Sequence, residues 1–381
     1  YMSQLIQKTW RRIMSNKEYF FILMLFFPDY LLYPFLLGSA IILLKRLLSG
    51  KIRFEFLSSK LFLCFILLIL IVAIIYQNVF GIAGAVFCFY LLLYRLSLSS
   101  FMTPARYMKM QFAIATCSIF SFLANFFDFR IPYISSTIQS MFSNYTGTYF
   151  VPEFTGFSTR IFSTFDNPNY YAFVLMIVIL VCFNQIQFQI TFKNYALATY
   201  YGAILIMNLI ALQFTGTRTV VIALAFGMIV IMLIQKKYRQ IKFICLGVLF
   251  LLFILFLRPD LAPRFQDISR DFETRYDIWG NAVRFIKANP FFGKGLFTYF
   301  HTANQVGIDP EMHSHSLFIE PLLSFGIVGT GLLCAAIATE VVKIRQNASY
   351  LDTPLALGVI AATLAYGILD IPILGIQTAI L

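Results

Sequence analysis

A series of apolar runs, most of them close to the length of a membrane span, restricts the folds open to this chain. A helix needs about 20 mostly apolar residues to cross the hydrocarbon core of a bilayer. The sequence therefore predicts an all-α, polytopic integral membrane protein with about 11 (10–12) transmembrane helices, forming a single domain over residues 1–381. The candidate spans lie near residues 61–76, 79–97, 110–127, 170–187, 195–213, 219–235, 243–257, 316–342 and 355–372, with a longer apolar stretch at 19–48.

The composition excludes most other classes of protein. Hydrophobic residues make up 60% of the chain and charged residues only 12%, against roughly 25% charged residues in soluble domains. A water-soluble domain cannot bury that much apolar surface, which rules out a soluble enzyme, a disordered chain and a nucleic-acid binder. The sequence has no glycine-rich phosphate loop and no zinc-type spacing of His and Cys. We therefore predict no cofactor and no metal.

The apolar stretch 19–48 permits two interpretations, because Pro28, Asp29 and Pro34 interrupt its middle. It is either one long kinked span or a hairpin of two short spans with Pro28 and Asp29 near its tip. Both flanks are basic, and the positive-inside rule places such flanks in the cytoplasm. An even number of crossings follows, which favours the short hairpin.

The distribution of lysine and arginine then predicts the sides of the loops. Residues 129–168, the turn 214–218 and the long loop 258–314 fall outside the cytoplasm, and every lysine except Lys287 and Lys294 falls inside. Arginine binds phosphate through two parallel hydrogen bonds. The alternative is that the outer arginines lie outside by chance, because long loops escape the positive-inside rule. The outer arginines are Arg130, Arg160, Arg218, Arg258, Arg264, Arg270, Arg275 and Arg284.

The predicted outer loop 258–314 is rich in charge and holds His301 and His313, and His315 follows at its end. A loop of this length in a compact membrane protein is usually functional. The segment 312–317 precedes an apolar run, so its histidines lie at the membrane–water boundary. A histidine there can act as a general base near neutral pH. The alternative is a histidine that only caps the next helix.

The same loop contains one predicted amphipathic helix. Its apolar stripe repeats at intervals of 4, 3, 4 and 3 residues, which is helical spacing. Ser269 is the predicted N-cap, and Asn289 with Pro290 marks the predicted end. The stripe consists of Phe272, Tyr276, Trp279, Val283 and Ile286.

Arg275 is the one arginine of this helix that the spacing turns towards the membrane domain. Counting about 100° per residue, it lies beside the apolar stripe, whereas Arg270 and Arg284 lie on the far face. Arg275 either reaches into a cleft beneath the helix or braces the helix as the i,i+4 partner of Asp271.

Two further candidate sites flank apolar runs. Arg218 follows Thr215-Gly216-Thr217 between two runs, where a charge is costly and suggests function; the alternative is a side chain that snorkels to the interface. Asn167-Pro168-Asn169 begins the run at 170. Its first interpretation is an N-cap by Asn167, and its second is contact with a sugar or a phosphate.

Four stretches in this order resemble the O-antigen ligase and O-antigen polymerase superfamily of bacterial membrane glycosyltransferases. The resemblance covers about residues 165–335, and the family usually has Asn where Ser316 stands here. The stretches are Asn167-Pro168-Asn169; Thr215-Gly216-Thr217-Arg218; Arg275-x-x-x-Trp279 with Pro290 and Gly293-Lys294-Gly295; and His315-Ser316 with Gly326-Ile327-Val328-Gly329.

This resemblance implies a metal-independent glycosyltransferase in the bacterial cytoplasmic membrane, with its active site on the extracytoplasmic face. The implied partners are the lipid bilayer, donor and acceptor oligosaccharides on undecaprenyl diphosphate, and a chain-length regulator. Carried onto this sequence, Arg218 and Arg275 hold the donor diphosphate, and His315 accepts or orients the proton of the attacking hydroxyl. The further candidates for substrate binding are Arg160, Arg264, Asn167, Asn169 and His313.

Three activities fit the resemblance. A polymerase extends a glycan on a lipid-linked repeat unit, and a ligase moves it to lipid A core, protein or a wall polymer. A lipid-linked glycan transporter moves it without chemistry. The abundance of Phe, Ile, Leu and Lys hints at an AT-rich, Gram-positive genome, where lipid A is absent. This favours the polymerase.

Overall fold

The computed structural model describes residues 17–99, 102–126, 160–165, 167–257, 268–346 and 353–381, and within these ranges it contains helices and no β-strand. The all-α prediction is confirmed for that part of the chain. The helices are α1 (Lys17–Leu25), α2 (Asp29–Leu48), α3 (Leu57–Ile75), α4 (Val79–Ser99), α5 (Pro104–Ala124), α6 (Pro168–Thr191), α7 (Tyr195–Thr215), α8 (Thr219–Ile234), α9 (Tyr238–Leu257), α10 (Ile268–Ala288), α11 (Thr298–Val306), α12 (Ile319–Gln346), α13 (Thr353–Tyr366) and α14 (Ile376–Ile380).

Seven of the described helices are long and apolar enough to cross a membrane, namely α2 to α7 and α12. Two further apolar helices, α8 and α13, are shorter. Each predicted span overlaps a described helix, because a long apolar run is stable in a bilayer only when its backbone groups are satisfied internally. The predicted total of about 11 spans and the sides of the loops stay predictions.

The N-terminal helices confirm a break at Pro28 but correct the shape of the predicted hairpin. The helix α1 has 9 residues and rises only about 14 Å. The helix α2 has 20 residues and continues through Pro34. The prediction of two short arms is therefore wrong for α2, because its apolar segment Leu31–Leu48 is by itself close to the ~20 residues that a span requires.

The described chain forms two compact units. The first consists of the described parts of Tyr1–Leu37, Thr103–Ile231 and Pro372–Leu381. Within it α6 packs along α7, and α5 contacts both. The second consists of the described parts of Gly38–Met102 and Met232–Ile371. Within it α3 packs between α4 and α12, and α12 also contacts α10 and α11.

The core of the first unit is α6, which is buried along most of its length. Amide side chains pair inside this apolar core: Gln185 donates to Gln111 Oε1 at 2.6 Å, and Gln189 donates to Gln185 Oε1 at 3.2 Å. The first bond joins α6 to α5, and the second lies within α6. An interhelical hydrogen bond holds membrane helices in register, because an unpaired amide is costly in an apolar medium. The Gln185–Gln111 bond therefore fixes α6 against α5.

The predicted amphipathic helix is present as α10, with two corrections. It begins at Ile268, so Ser269 lies inside its first turn and is not the N-cap. Its packed face carries Ile278 and Ala282, which are buried against α11 and α12 together with Trp279 and Ile286. The stripe prediction is wrong for its other three members, which are exposed: Phe272, Tyr276 and Val283.

The packed face of α10 differs from the predicted stripe because of the size of its side chains. The small Ala282 lets the helix approach Tyr299 and Leu323 closely, and the packed face is centred there. That face is rotated by roughly 80° from the centre of the predicted stripe, counting about 100° per residue. The predicted stripe was built from large apolar residues and omits Ala282, although the side chain of Ala282 is fully buried.

A backbone junction fastens the end of α10 to α12. Gly326 has φ of 61° and ψ of −170° inside α12 and breaks the helical hydrogen bonds there. The freed N–H groups of Ile327 and Val328 donate to the carbonyls of Pro290 and Phe291 at 2.9 and 3.0 Å. A Cβ on Gly326 would lie 2.3 Å from the carbonyl carbon of Phe291, so only glycine fits this contact.

Candidate active site

The histidine loop, which we define as residues 307–318, joins α11 to α12 in the second unit. Its backbone is held from two sides. The indole N–H of Trp279 on α10 donates to the carbonyl of Ser314 at 3.0 Å, and the N–H of Leu317 donates to the carbonyl of Gly367 at 2.7 Å. His315 has φ of 52°, a left-handed conformation that is uncommon for residues other than glycine.

Glu320, in the first turn of α12, binds the backbone of the histidine loop. Its carboxylate accepts the N–H of Ser314 at 2.8 Å and the hydroxyl of Ser324 at 2.6 Å. The side chain is almost fully buried, and a carboxylate near a helix N-terminus is also favoured by the helix dipole. Glu320 therefore fixes the residue that immediately precedes His315.

The imidazole of His315 lies between two carboxylates. Its Nδ1 is 3.4 Å from Oδ1 of Asp370, and its Nε2 is 3.7 Å from Oε2 of Glu311. The side chain of Asp370 is 6% exposed, that of Glu311 46% and that of His315 25%. One nitrogen thus faces a buried acid, and the other faces an acid that solvent reaches.

These contacts separate the pKa values of the two histidines. Burial lowers the pKa of His315, but its contacts with the carboxylates of Asp370 and Glu311 outweigh burial and raise the pKa above its usual range. Burial lowers the pKa of His313 to about 4, and the charge of His315 acts in the same direction. At neutral pH the imidazole of His313 is neutral, and its Nδ1 accepts the backbone N–H of His315 at 3.2 Å. The imidazole of His315 is protonated at the same pH.

Asp370 is held as an ion beside this imidazolium. Burial raises the pKa of Asp370, but the hydrogen bond with His315 and the charge of that residue outweigh burial and lower it. Its Oδ1 also accepts the N–H of Ile371 at 2.8 Å. The prediction that an apolar helix continues to residue 372 is wrong, because α13 ends at Tyr366 and Asp370 lies in the irregular segment that follows.

Arg275 reaches the same cluster from the packed face of α10. Its guanidinium donates to the carbonyl of Leu369, the residue before Asp370, and its charge lowers the pKa values of His313 and His315. The predicted inward direction is confirmed for Arg275, and Arg284 is exposed as predicted. The side chains of Arg270 and Asp271 lie outside the described residues, so the brace with Asp271 stays a prediction.

The cluster combines an arginine, a basic imidazole and two carboxylates, which is chemistry suited to binding an anion and moving a proton. His313, His315 and Asp370 also offer ligand atoms that lie within 4.8 Å of one another. Two imidazoles and a carboxylate are donors that divalent transition metals accept. The predicted metal independence stays a prediction.

A second group of residues meets in the first unit, and we call it the Arg160 group. It consists of Arg160, Asn167, Asn169, Thr215 and Thr217. The Nε of Arg160 donates to the carbonyl of Thr215 at 2.6 Å, and one Nη donates to Asn169 Oδ1 at 2.5 Å and Thr217 Oγ1 at 2.9 Å. Asn167 accepts the N–H of Asn169 at 2.7 Å, which confirms its role as N-cap of α6. The half-buried Arg218 directly follows Thr217 in the turn between α7 and α8.

The structure thus brings His313, His315 and Arg275 together in the second unit, and Arg160, Asn167 and Asn169 together in the first. Arg264 lies outside the described residues. The sequence interpretation missed Asp370, Glu311 and Glu320 as site residues. Glu311 had a usable signal, since it stands four residues before His315, whereas Asp370 stands 55 residues after it with no shared motif.

Comparison with known protein families finds a match. A family model described as O-antigen ligase matches residues 203–334, the segment that contains Arg218, Arg275 and His315. A search of curated proteins finds no match. The helical membrane fold and this segment define a membrane protein similar to O-antigen ligases. The predicted resemblance to the O-antigen ligase and polymerase superfamily is thereby confirmed over about one third of the chain.

Proposed function

We propose that this protein is a polymerase that transfers a growing glycan from undecaprenyl diphosphate to a sugar hydroxyl of a lipid-linked acceptor repeat unit. The observation that carries the proposal is the cluster of Arg275, His315 and Asp370, in which Arg275 and His315 lie inside the segment that matches the O-antigen ligase family. A cation and a basic imidazole at one place are the two groups that release of a diphosphate and attack by a hydroxyl require.

In the reaction, the oxygen of the acceptor hydroxyl forms a bond to the anomeric carbon of the donor sugar. The bond from that carbon to the diphosphate oxygen breaks, and its electron pair leaves with undecaprenyl diphosphate. Arg275 meets the negative charge that develops there, because its guanidinium binds phosphate in a two-pronged manner. The role of Arg218 at the donor rests on the family resemblance.

His315 receives the proton of the attacking hydroxyl at Nε2, the nitrogen on the side of the half-exposed Glu311. It must first lose the proton that its raised pKa retains at neutral pH. Asp370 then holds the remaining N–H at Nδ1 and stabilises the imidazolium that re-forms after attack. Glu320 and Trp279 keep the loop rigid while this happens, since both bind Ser314.

A ligase is the second candidate, because the matching family model is described as O-antigen ligase. The chemistry at the anomeric carbon is the same in both cases, and only the acceptor differs. The acceptor of a ligase is lipid A core, a protein or a wall polymer.

Product analysis separates these functions. The purified protein is incubated in vesicles with its lipid-linked repeat unit, and the lipid-linked products are resolved by size, with the His315→Asn variant as the control. A ladder of longer lipid-linked chains supports the polymerase. Chains that appear only on an added second acceptor support the ligase, and unchanged substrate on the opposite side of the vesicle supports a transporter.

A further inference from the structure

A side of α10 that flanks its packed face, about 100° around the helix from it, carries three large exposed apolar side chains. Phe272 is 49% exposed, Tyr276 76% and Val283 43%. We call these three residues the exposed stripe. Phe291 and Phe292, just beyond the end of α10, are exposed as well. Contiguous exposed apolar surface of this kind marks an interaction site.

Hydrogen bonds fix the end of α10 at the end of two candidate membrane spans. The hydroxyl of Tyr76 donates to Asn289 Oδ1 at 2.9 Å. The amide of Asn78 donates to the carbonyls of Lys294 and Leu296 at 3.0 and 2.8 Å. Tyr76 and Asn78 form the turn between α3 and α4. Because the turn between two spans lies at the surface of the bilayer, the segment 289–296 lies there too.

Charge along α10 is arranged as a bilayer surface requires. Lys287 is exposed and follows Val283 by one helical turn, next to the exposed stripe. The Lys294 ammonium lies 5.6 Å from the ring centroid of Tyr76. Lysines and aromatic residues of this kind occur where a protein meets lipid headgroups. The exposed Asp277 and Arg284 lie roughly 100–120° around the helix from the stripe, at about 100° per residue.

From this geometry we infer that α10 is an interfacial helix whose exposed stripe is embedded in the boundary between headgroups and acyl chains of an anionic phospholipid bilayer. Apolar side chains on one face and flanking lysines are the features by which helices bind in the plane of a membrane. If the proposed function holds, this contact sets Arg275, on the same helix, at the depth of lipid-linked diphosphates.

Nitroxide labels on single cysteines test the embedding. The six native cysteines are replaced, and Tyr276→Cys and Val283→Cys are labelled in vesicles of phosphatidylethanolamine and phosphatidylglycerol. The matched control is Asp277→Cys, on the other exposed side of the same helix. Electron paramagnetic resonance compares collisions with oxygen, which concentrates in lipid, and with a water-soluble nickel chelate.

We expect oxygen to relax the labels at 276 and 283 more strongly than nickel does, and the reverse at 277. Stronger nickel relaxation at both stripe positions would overturn the inference, and so would labels shielded from both reagents, because the stripe would then be covered by protein. The spin-label experiment does not depend on glycan transfer, so failure of the embedding and failure of the proposed function are distinguishable.

Discussion

The Arg160 group of the first unit and the histidine loop of the second both gather residues that the sequence singled out, yet their contacts differ in kind. Arg160 donates to neutral oxygens of Thr215, Asn169 and Thr217 at 2.5–2.9 Å. His315 lies 3.4–3.7 Å from two carboxylates and remains partly exposed. Short bonds to neutral backbone and side-chain groups organise a turn. Longer contacts between ionisable groups leave them available for proton transfer.

An arginine or histidine beside an apolar run therefore occurs in two different physical situations in this protein. In the first unit the guanidinium stabilises the polypeptide that leads to Arg218. In the second unit the backbone is held by Trp279 and Glu320, and the side chain of His315 has a titratable environment. We expect substitutions in the two groups to affect different measurements.

The largest effect is expected from His315→Asn. Asparagine tolerates the left-handed backbone of this position, so the loop is retained while the base is lost. Removing a general base lowers the rate of glycan transfer by about 10²–10⁴-fold. The control is His301→Asn, since His301 lies on α11 and its ring contacts Gln305. Equal ladders from both variants would show that the histidine loop does no chemistry.

A smaller loss is expected from Arg275→Lys, which keeps the charge but not the two-pronged geometry. By analogy with the loss of one oxyanion donor, the activation free energy of glycan transfer should rise by about 2–4 kcal/mol. Single-turnover rates measure this, with Arg284→Lys as the control on the exposed face of the same helix. If Arg284→Lys is as damaging as Arg275→Lys, α10 matters for its overall charge and not for one directed guanidinium.

Asp370→Asn should move the pH profile. The carboxylate raises the pKa of His315, so the wild-type rate should increase with pH until His315 is neutral. Without the charge the pKa of His315 falls, and the rising limb should move to lower pH by about 1 unit or more. The maximal rate should drop as well, because a weaker base accepts the proton less readily. An unchanged kcat/KM profile would exclude His315 as the base.

The smallest effect on transfer is expected from Thr217→Val in the first unit. The hydroxyl of Thr217 accepts from Arg160 and donates to Asn169, and its loss should destabilise the fold by about 1 kcal/mol. Thermal unfolding in detergent measures this loss, and transfer by the folded fraction should stay close to wild type. A large fall in transfer with normal unfolding would reverse the assignment and make the Arg160 group part of the active site.

Much of the fold follows from the sequence, because long apolar runs and helix-breaking prolines are local signals. The end of α13 was misplaced because Gly367, Ile368 and Leu369 continue an apolar run by composition. Their backbone instead turns away, and the carbonyls of Gly367 and Leu369 bind Leu317 and Arg275. Hydropathy cannot distinguish a last helical turn from an irregular segment of the same letters.

The candidate site was predictable only in part. Arg275 and His315 carry family-like spacing, and the angular count placed Arg275 on the inward side of α10. Asp370 pairs with His315 across 55 residues, and no local periodicity connects such positions. The partner that sets the pKa of the base is therefore visible only once the chain is folded.

The junction at Gly326 bears on which substitutions the second unit tolerates. The carbonyls of Pro290 and Phe291 accept from the backbone N–H groups of Ile327 and Val328, so the broken turn keeps its amides paired, which an apolar surrounding requires. Because the bonds join main chain to main chain, we expect the side chains at 327 and 328 to vary freely except to proline, which has no N–H to donate. Position 326 has no such freedom, because any Cβ there would overlap the backbone of Phe291.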